Sequence, residues 1–264
     1  MEPTVRPPEQ HNEEEWRKVL MGSHPGYRWG RNVFRRLPST PRCKMCAAPF
    51  AGPGSRLMRI IGKKPWPKNP KFCGSCLSGL NKQRGGAEIE CTLLFADVRG
   101  STALAETMRP TEFRLLLDRF YHAATDVLVD HDAFVDKFVG DEVIGMFIPM
   151  LTGGAHATRA VEASRSLLTA VKALDEATPL TIGAGVHTGV SFVGTVGSGD
   201  ALEFTALGDA VNTTARLASA AGPGEVLVST AAAKAAGLDT TSLERRELDL
   251  KGKSESVSVV VLTS

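Results

Sequence analysis

Beyond residue 88 the apolar positions fall into two kinds of pattern. Compact, β-branched runs predict strands at Ile89–Ala96, Leu180–Val186, Val190–Val196, Glu225–Ser229 and Val257–Leu262, with a further strand at about Arg246–Leu250. Longer stretches repeat at helical spacing. Pro110–Asp130 puts Phe113, Leu116, Leu117, Phe120 and Val127 on one stripe, and its proline suits a first turn. Ser101–Met108, Ala155–Asp175 and Asp209–Ala221 predict three more helices. In Phe134–Phe147 two apolar runs flank Gly140-Asp141, which predicts a β-hairpin with an acid at its tip. His187-Thr188-Gly189 is expected to join two strands, and Lys251-Gly252-Lys253 the last two. Helices alternate with strands, but hairpins occur too. The fold class expected is therefore α+β, a sandwich of helices on an antiparallel or mixed sheet, not a doubly wound parallel sheet.

Before residue 88 the pattern weakens. Residues 1–15 are rich in Pro, Glu and Asn and read as disordered. Trp16–Met21 allows a short helical turn, and residues 22–41 hold too much Gly and Pro for a long element. Two Cys-x-x-Cys knuckles follow, Cys43-Lys44-Met45-Cys46 and Cys73-Gly74-Ser75-Cys76. Each sets two thiolates on a tight turn, so together they offer four sulfur ligands to one tetrahedral ion. The insert Ala47–Phe72 is too rich in Gly and Pro to hold much core, and a metal would replace it. Structural Zn²⁺ is the expected ion. An iron–sulfur cluster, a thiol redox switch and unmetallated thiols are the alternatives. Cys91 reads as a small buried residue and His24 as a surface histidine. The expected organisation is an N-terminal segment (1–40), a metal-stapled module (41–80), a linker (81–87) and a main domain (88–264).

Charge and composition add to this. With 42% hydrophobic positions in 264 residues, the chain can bury a substantial core. No apolar run approaches a membrane span, and the N-terminus lacks the apolar core of a secretory signal, so a soluble cytoplasmic protein is expected. The formal charge of +2 hides an asymmetry. Residues 1–87 carry 17 Lys and Arg against 5 Asp and Glu, residues 88–264 carry 14 against 24, and no acid stands between Glu15 and Glu88. Such a block suits nucleic acid, an anionic membrane surface, or the acidic remainder of its own dimer. The last is favoured, since no aromatic–basic interleaving supports nucleic acid.

The candidate chemistry lies in two carboxylates. The run Leu93–Ala96 ends in Asp97, and Val98-Arg99-Gly100-Ser101-Thr102 turns the chain toward a helix. A strand that ends this way delivers an acid to a cation beside backbone N–H groups able to hold phosphate. Asp141, at the hairpin tip, is a second acid of the same kind. Two strand-end carboxylates suit a two-metal phosphoryl-transfer site.

Five stretches carry a resemblance: Phe95-Ala-Asp-Val-Arg-Gly100, Asp136-Lys-Phe-Val-Gly-Asp141, Gly185-Val-His-Thr-Gly189, Thr205-Ala-Leu-Gly-Asp-Ala-Val-Asn-Thr-Thr-Ala-Arg-Leu217 and Leu250-Lys-Gly-Lys253. In order and spacing, residues 88–264 resemble the catalytic domain of class III nucleotidyl cyclases. The resemblance implies a ferredoxin-like sandwich that works as a head-to-tail homodimer, each site drawing residues from both chains. It implies that Asp97 and Asp141 hold two Mg²⁺ or Mn²⁺ ions, and that the amides of Val98 to Thr102, with Gly100 and Ser101 between, receive phosphate. It gives Asn212 the ribose, Arg216 the α-phosphate charge in the transition state, and Lys251 the terminal phosphates. Lys137 and Thr205 match the base-selecting pair. A lysine there donates to adenine N1, and relatives that use GTP carry an acid at that position, so ATP is the implied substrate and cyclic AMP the product. Thr205 stands where the commonest pattern has Asp, and marks a subgroup with some bicarbonate-responsive members. Ser101 stands where many relatives have Phe. The competing reading is a catalytically silent scaffold whose basic cysteine module binds a partner or nucleic acid.

Overall fold

The computed structural model describes residues 12–37, 40–67, 69–82, 84–174, 180–198, 202–249 and 256–263. Four short helices come first: α1 (Glu13–Leu20), α2 (Pro25–Phe34), α3 (Pro53–Ile60) and α4 (Gly74–Lys82). Then follow β1 (Gly85–Val98), α5 (Ser101–Thr107), α6 (Pro110–Asp130), β2 (Phe134–Val139), β3 (Glu142–Phe147), α7 (Pro149–Thr152), α8 (His156–Lys172) and β4 (Ile182–Val196). The chain continues through β5 (Glu203–Leu207), α9 (Asp209–Ala220), β6 (Glu225–Ser229), α10 (Thr230–Ala236), β7 (Arg245–Leu248) and β8 (Val257–Thr263). The strands form one sheet in the order β2-β3-β1-β4-β6-β8-β7, with β5 also paired to β4. All its pairings are antiparallel except β4 with β6. The fold is thus the mixed α+β arrangement that the alternation predicts.

Strand β1 is buried on both faces. Ala87, Ile89, Cys91, Leu93 and Phe95 share one core with the N-terminal helices and the cysteine segment, whereas Leu94, Ala96 and Val98 face α6, α8 and α10. Alternate residues of a strand point to opposite faces, so covering both produces the unbroken apolar run seen in the sequence.

Four expectations are corrected. Leu180–Val186 and Val190–Val196 are not two strands joined by His187–Gly189; they form one 15-residue strand, and His187, Thr188 and Gly189 pair in register with Leu93, Thr92 and Cys91. The turn residues do not turn because β1 offers them a full ladder. The expected linker 81–87 is absent as such: α4 runs to Lys82, and Gly85–Ala87 already pair with Thr195–Val193. Residues 22–41 include the ten-residue helix α2, started by Pro25 at its first turn and capped by the His24 ring, which accepts from the Gly26 N–H. The insert Ala47–Phe72 does contribute core: Ala48, Phe50, Met58 and Phe72 are buried in the cluster that also holds Phe95 and Phe204. Trp16 joins them, 2% exposed and stacked 6.2 Å from Phe204. The N-terminal region and the sheet therefore bury one continuous core.

Candidate functional site

The acidic corner is built by register. Asp97 pairs with Glu142 on β3 and Gly183 on β4, and the Val98 N–H donates to the Asp141 carbonyl at 3.3 Å. Gly140, with a φ of 61°, makes the turn that lifts Asp141 to the hairpin tip. Tyr121 on α6 donates to the Gly140 carbonyl and packs its ring 4.4 Å from Phe138, so the tip is held from below. Burial and the facing Asp141 carboxyl push Asp97 up to about 6. Burial, then Asp97 and Asp141, push Glu142 up to about 7. Arg99 offsets part of this charge through a 3.0 Å ion pair with Asp97, and donates as well to the Ala218 and Ser219 carbonyls at the end of α9. Hard carboxylate oxygens crowded in this way fit a divalent cation.

The loop that follows narrows the expected phosphate donors. The amides of Val98 and Arg99 are already bonded, to the Asp141 and Thr181 carbonyls. Gly100, Ser101 and Thr102 open α5, where first-turn amides have no acceptor within the helix. Val98 is therefore removed from the set.

Lys137 and Thr205 are brought together although 68 positions apart. Both line a cavity of about 530 Å³ whose apolar walls include Phe95, Ile144 and Val211. The Thr205 hydroxyl donates to Asp136 Oδ2 at 2.7 Å. Lys137 Nζ lies 3.1 Å from Glu203 and 4.0 Å from Asp136. In a regular strand Asp136 and Lys137 would point to opposite faces. The ladder between β2 and β3 shifts register between Val135 and Phe138, and this irregularity turns both side chains into the cavity.

Helix α9 presents Asn212 and Arg216 outward. Its other side buries Ala210, Thr213, Thr214, Leu217 and Ala218. It lies so close to β4 that a Cβ on Gly185 would stand 2.5 Å from the Ala218 nitrogen. Asn212 is exposed, Arg216 half-buried, and neither side chain has a hydrogen-bond partner among the described residues. Within one chain they bond neither to the acidic corner nor to Lys137 and Thr205. Lys251 lies outside the described residues.

The knuckles converge as their spacing predicts. The thiols of Cys43, Cys46, Cys73 and Cys76 lie within 4.8 Å of one another and are buried. Cys46 and Cys73 are 3.8 Å apart. That is the edge expected of a tetrahedron with Zn–S bonds of about 2.3 Å. The Cys73 N–H donates to Cys43 Sγ at 3.3 Å, and Lys63 Nζ approaches Cys46 to 3.8 Å. Hydrogen bonds among the four sulfurs push the Cys46 and Cys73 thiols down and the Cys43 and Cys76 thiols up. Cys91 stands apart, fully buried, and burial raises its thiol to about 11.

Four polar residues of these sites went unread in the sequence: Asp136, Glu203, Arg99 and Asn69. Asp136 adjoins a recognised lysine, but strand alternation argues against it until the bulge is seen. The side chain of Arg99 has no role in the motif that contains it, Glu203 lies outside every motif, and Asn69 sits in an unpatterned insert.

Residues 86–263 match the family described as the adenylate and guanylate cyclase catalytic domain. An adenylate cyclase of Anabaena cylindrica is 35% identical over 136 residues, 48% of this chain and 26% of that protein. Adenylate cyclase 1 of Rhizobium meliloti is 29% identical over 134 residues, 48% of this chain and 20% of its own length. The matches span only a fifth to a quarter of these curated relatives. Among solved structures, the guanylyl cyclase Cya2 superposes with a TM-score of 0.64 at 28% identity, covering 67% of this chain and 93% of that one. The adenylyl cyclase CyaB from P. aeruginosa gives 0.60 at 29%, covering 67% and 95%. Sequence, fold and the acidic corner agree: the chain belongs to the adenylate and guanylate cyclase catalytic-domain family, and residues 86–263 are its nucleotidyl cyclase domain.

Proposed function

We propose that this protein is an adenylate cyclase, converting ATP to 3′,5′-cyclic AMP and pyrophosphate as a head-to-tail homodimer in the cytoplasm. The ribose 3′-oxygen attacks the α-phosphorus. One P–O bond forms, the bond to the β-phosphate oxygen breaks, pyrophosphate leaves and the 3′-hydroxyl proton is released. Asp97 and Asp141 hold two Mg²⁺ or Mn²⁺ ions, which when bound supply Lewis-acid activation of the hydroxyl and neutralise triphosphate charge. Asn212 and Arg216 of the partner chain orient the ribose and stabilise α-phosphate charge. Their outward, unpartnered placement supports a site completed across an interface. The Gly100 to Thr102 amides receive phosphate, and Lys251 the terminal phosphates. Cys43, Cys46, Cys73 and Cys76 hold a structural Zn²⁺.

The single observation that carries ATP over GTP is the bond from Thr205 to Asp136. A carboxylate only accepts, so the threonine hydrogen is committed to it and the oxygen turns its lone pairs to the cavity. There it accepts from the 6-amino group of adenine while Lys137 donates to N1. Guanine would present an acceptor, O6, to an acceptor and a donor, N1–H, to the ammonium.

The test is cyclic nucleotide production by the purified chain with ATP and with GTP, in Mg²⁺ and in Mn²⁺, alongside Asp97→Ala. ATP turnover lost with Asp97→Ala supports the assignment. Faster turnover of GTP overturns the base reading. No turnover of either nucleotide by dimeric protein leaves the silent scaffold.

A further inference from the structure

The cysteine segment reaches the base cavity through one side chain. Asn69 is 1% exposed. Its carboxamide donates to the Val135 carbonyl at 3.2 Å and accepts from the Val135 N–H at 3.0 Å. Strand β2 is the edge of the sheet, so on that side Val135 has no strand neighbour among the described residues. Asn69 takes the place of one, and it does so immediately before the irregularity that turns Asp136 and Lys137 inward.

Asn69 is itself rigidly carried. Its N–H donates to the Trp66 carbonyl, its carbonyl accepts from Phe72, and Pro65 bridges to Cys73. Phe72 packs edge-on at 6.0 Å against Phe134, which packs at 5.0 Å against Phe204, the neighbour of Thr205. A small cavity of about 150 Å³ between segment and sheet is walled by Trp66 and Asn69 on one side and Asp136 and Glu203 on the other. Lys44 pairs with Asp132 at 3.0 Å, fastening the turn that precedes β2.

We propose that Asn69 is a positioning residue for nucleotide selection. By bonding both the N–H and the carbonyl of Val135 it sets the bulge that points Lys137 and Asp136 at the base, and it links that geometry to the cysteine cluster four residues on. The proposal rests on Lys137 and Thr205 being the base-contacting pair.

Three variants of the full chain test it: Asn69→Ala, Asn69→Ser and Lys137→Ala. Two buried hydrogen bonds correspond to about a tenfold effect. Asn69→Ala is expected to raise the KM for ATP about tenfold with kcat within about twofold, and to lower the ATP-to-GTP ratio of kcat/KM. Asn69→Ser is polar but too short to reach both backbone groups of Val135, so it keeps at most one of the two bonds and falls between; it also carries the test if the alanine variant does not fold. The Kd for a non-cyclisable ATP analogue, by calorimetry, should move with KM. A fall in kcat with KM, Kd and ratio unmoved makes Asn69 merely structural and overturns the proposal. So does an unchanged ratio in both Asn69 variants when Lys137→Ala shifts it. If Lys137→Ala leaves the ratio alone, the base reading fails instead.

Discussion

Thr205 and Asp136, 69 residues apart, are joined by a 2.7 Å hydrogen bond whose direction only the threonine can supply. Asp136→Asn should reverse that polarity, because an amide can donate to the hydroxyl and release its hydrogen toward guanine O6. The expected outcome is about a threefold fall in the ATP-to-GTP ratio of kcat/KM, the size of one hydrogen bond. Steady-state rates with both nucleotides measure it.

Asp97 and Asp141 repel each other in the absence of a cation, so a cation should stabilise the fold. Mn²⁺ or Mg²⁺ without nucleotide is expected to raise the Tm of the wild-type chain and to leave Asp97→Asn nearly unmoved. The same substitution should lower kcat by about a hundredfold or more. Calorimetric melts and initial rates check the two separately.

In the proposed head-to-tail dimer Asn212 and Arg216 lie in one half of a shared site and Asp97 in the other. Asp97→Ala and Arg216→Ala should each be nearly inactive alone. Mixed in equal amounts they should recover roughly a quarter of wild-type activity, since half the dimers pair unlike chains and each of these keeps one intact site. A mixture no more active than its parts would mean that each chain carries a whole site.

Cys43→Ser removes one of the four clustered sulfurs proposed to hold Zn²⁺. Bound zinc, measured by mass spectrometry, should fall from about one ion per chain toward zero. Because the cluster shares a core with Phe95 and Phe204, the Tm should fall too. Metal lost with Tm and activity unchanged would mean that the cluster braces nothing.

His156 is buried and bonds the Thr92 hydroxyl at 2.8 Å, and Thr92 in turn lies 2.7 Å from Thr188. Burial holds the ring below the usual histidine range against a weaker pull from Glu90, 3.9 Å away. Above about pH 6.5 the ring is neutral folded or unfolded and adds no pH dependence. As pH falls below that value the unfolded chain binds the proton first, so stability is lost. His156→Gln should lose less stability between pH 7 and pH 5.5 than the wild type, read from urea midpoints at both.

The hairpin around Gly140-Asp141, the stripe of α6 and the convergence of four cysteines were legible because each follows from short-range rules: turn chemistry, helical spacing and thiol pairing on tight turns. His187–Gly189 misled for the same reason. A local turn signal gave way to fourteen register pairs between β1 and β4, and a ladder of that length outweighs the preference of three residues. The absence of a linker at 81–87 was equally hidden, since Gly85 and Gly86 look like flexible chain until Thr195 and Gly194 are seen opposite them.

The chain order and spacing of Asp97, Asp141, Asn212 and Arg216 by themselves determined the family and the candidate site residues, because such motifs keep their spacing along the chain. What the tertiary structure alone decided is how those residues are aimed. The hydroxyl of Thr205 turned toward Asp136 and Asn69 bonded along the free edge of β2 are contacts across 66 to 69 residues of sequence, and the bulge after Val135 lies where they meet. Their physical basis is the direction of hydrogen bonds between buried groups, which depends on where the backbone brings donor and acceptor and leaves no periodic trace in the sequence.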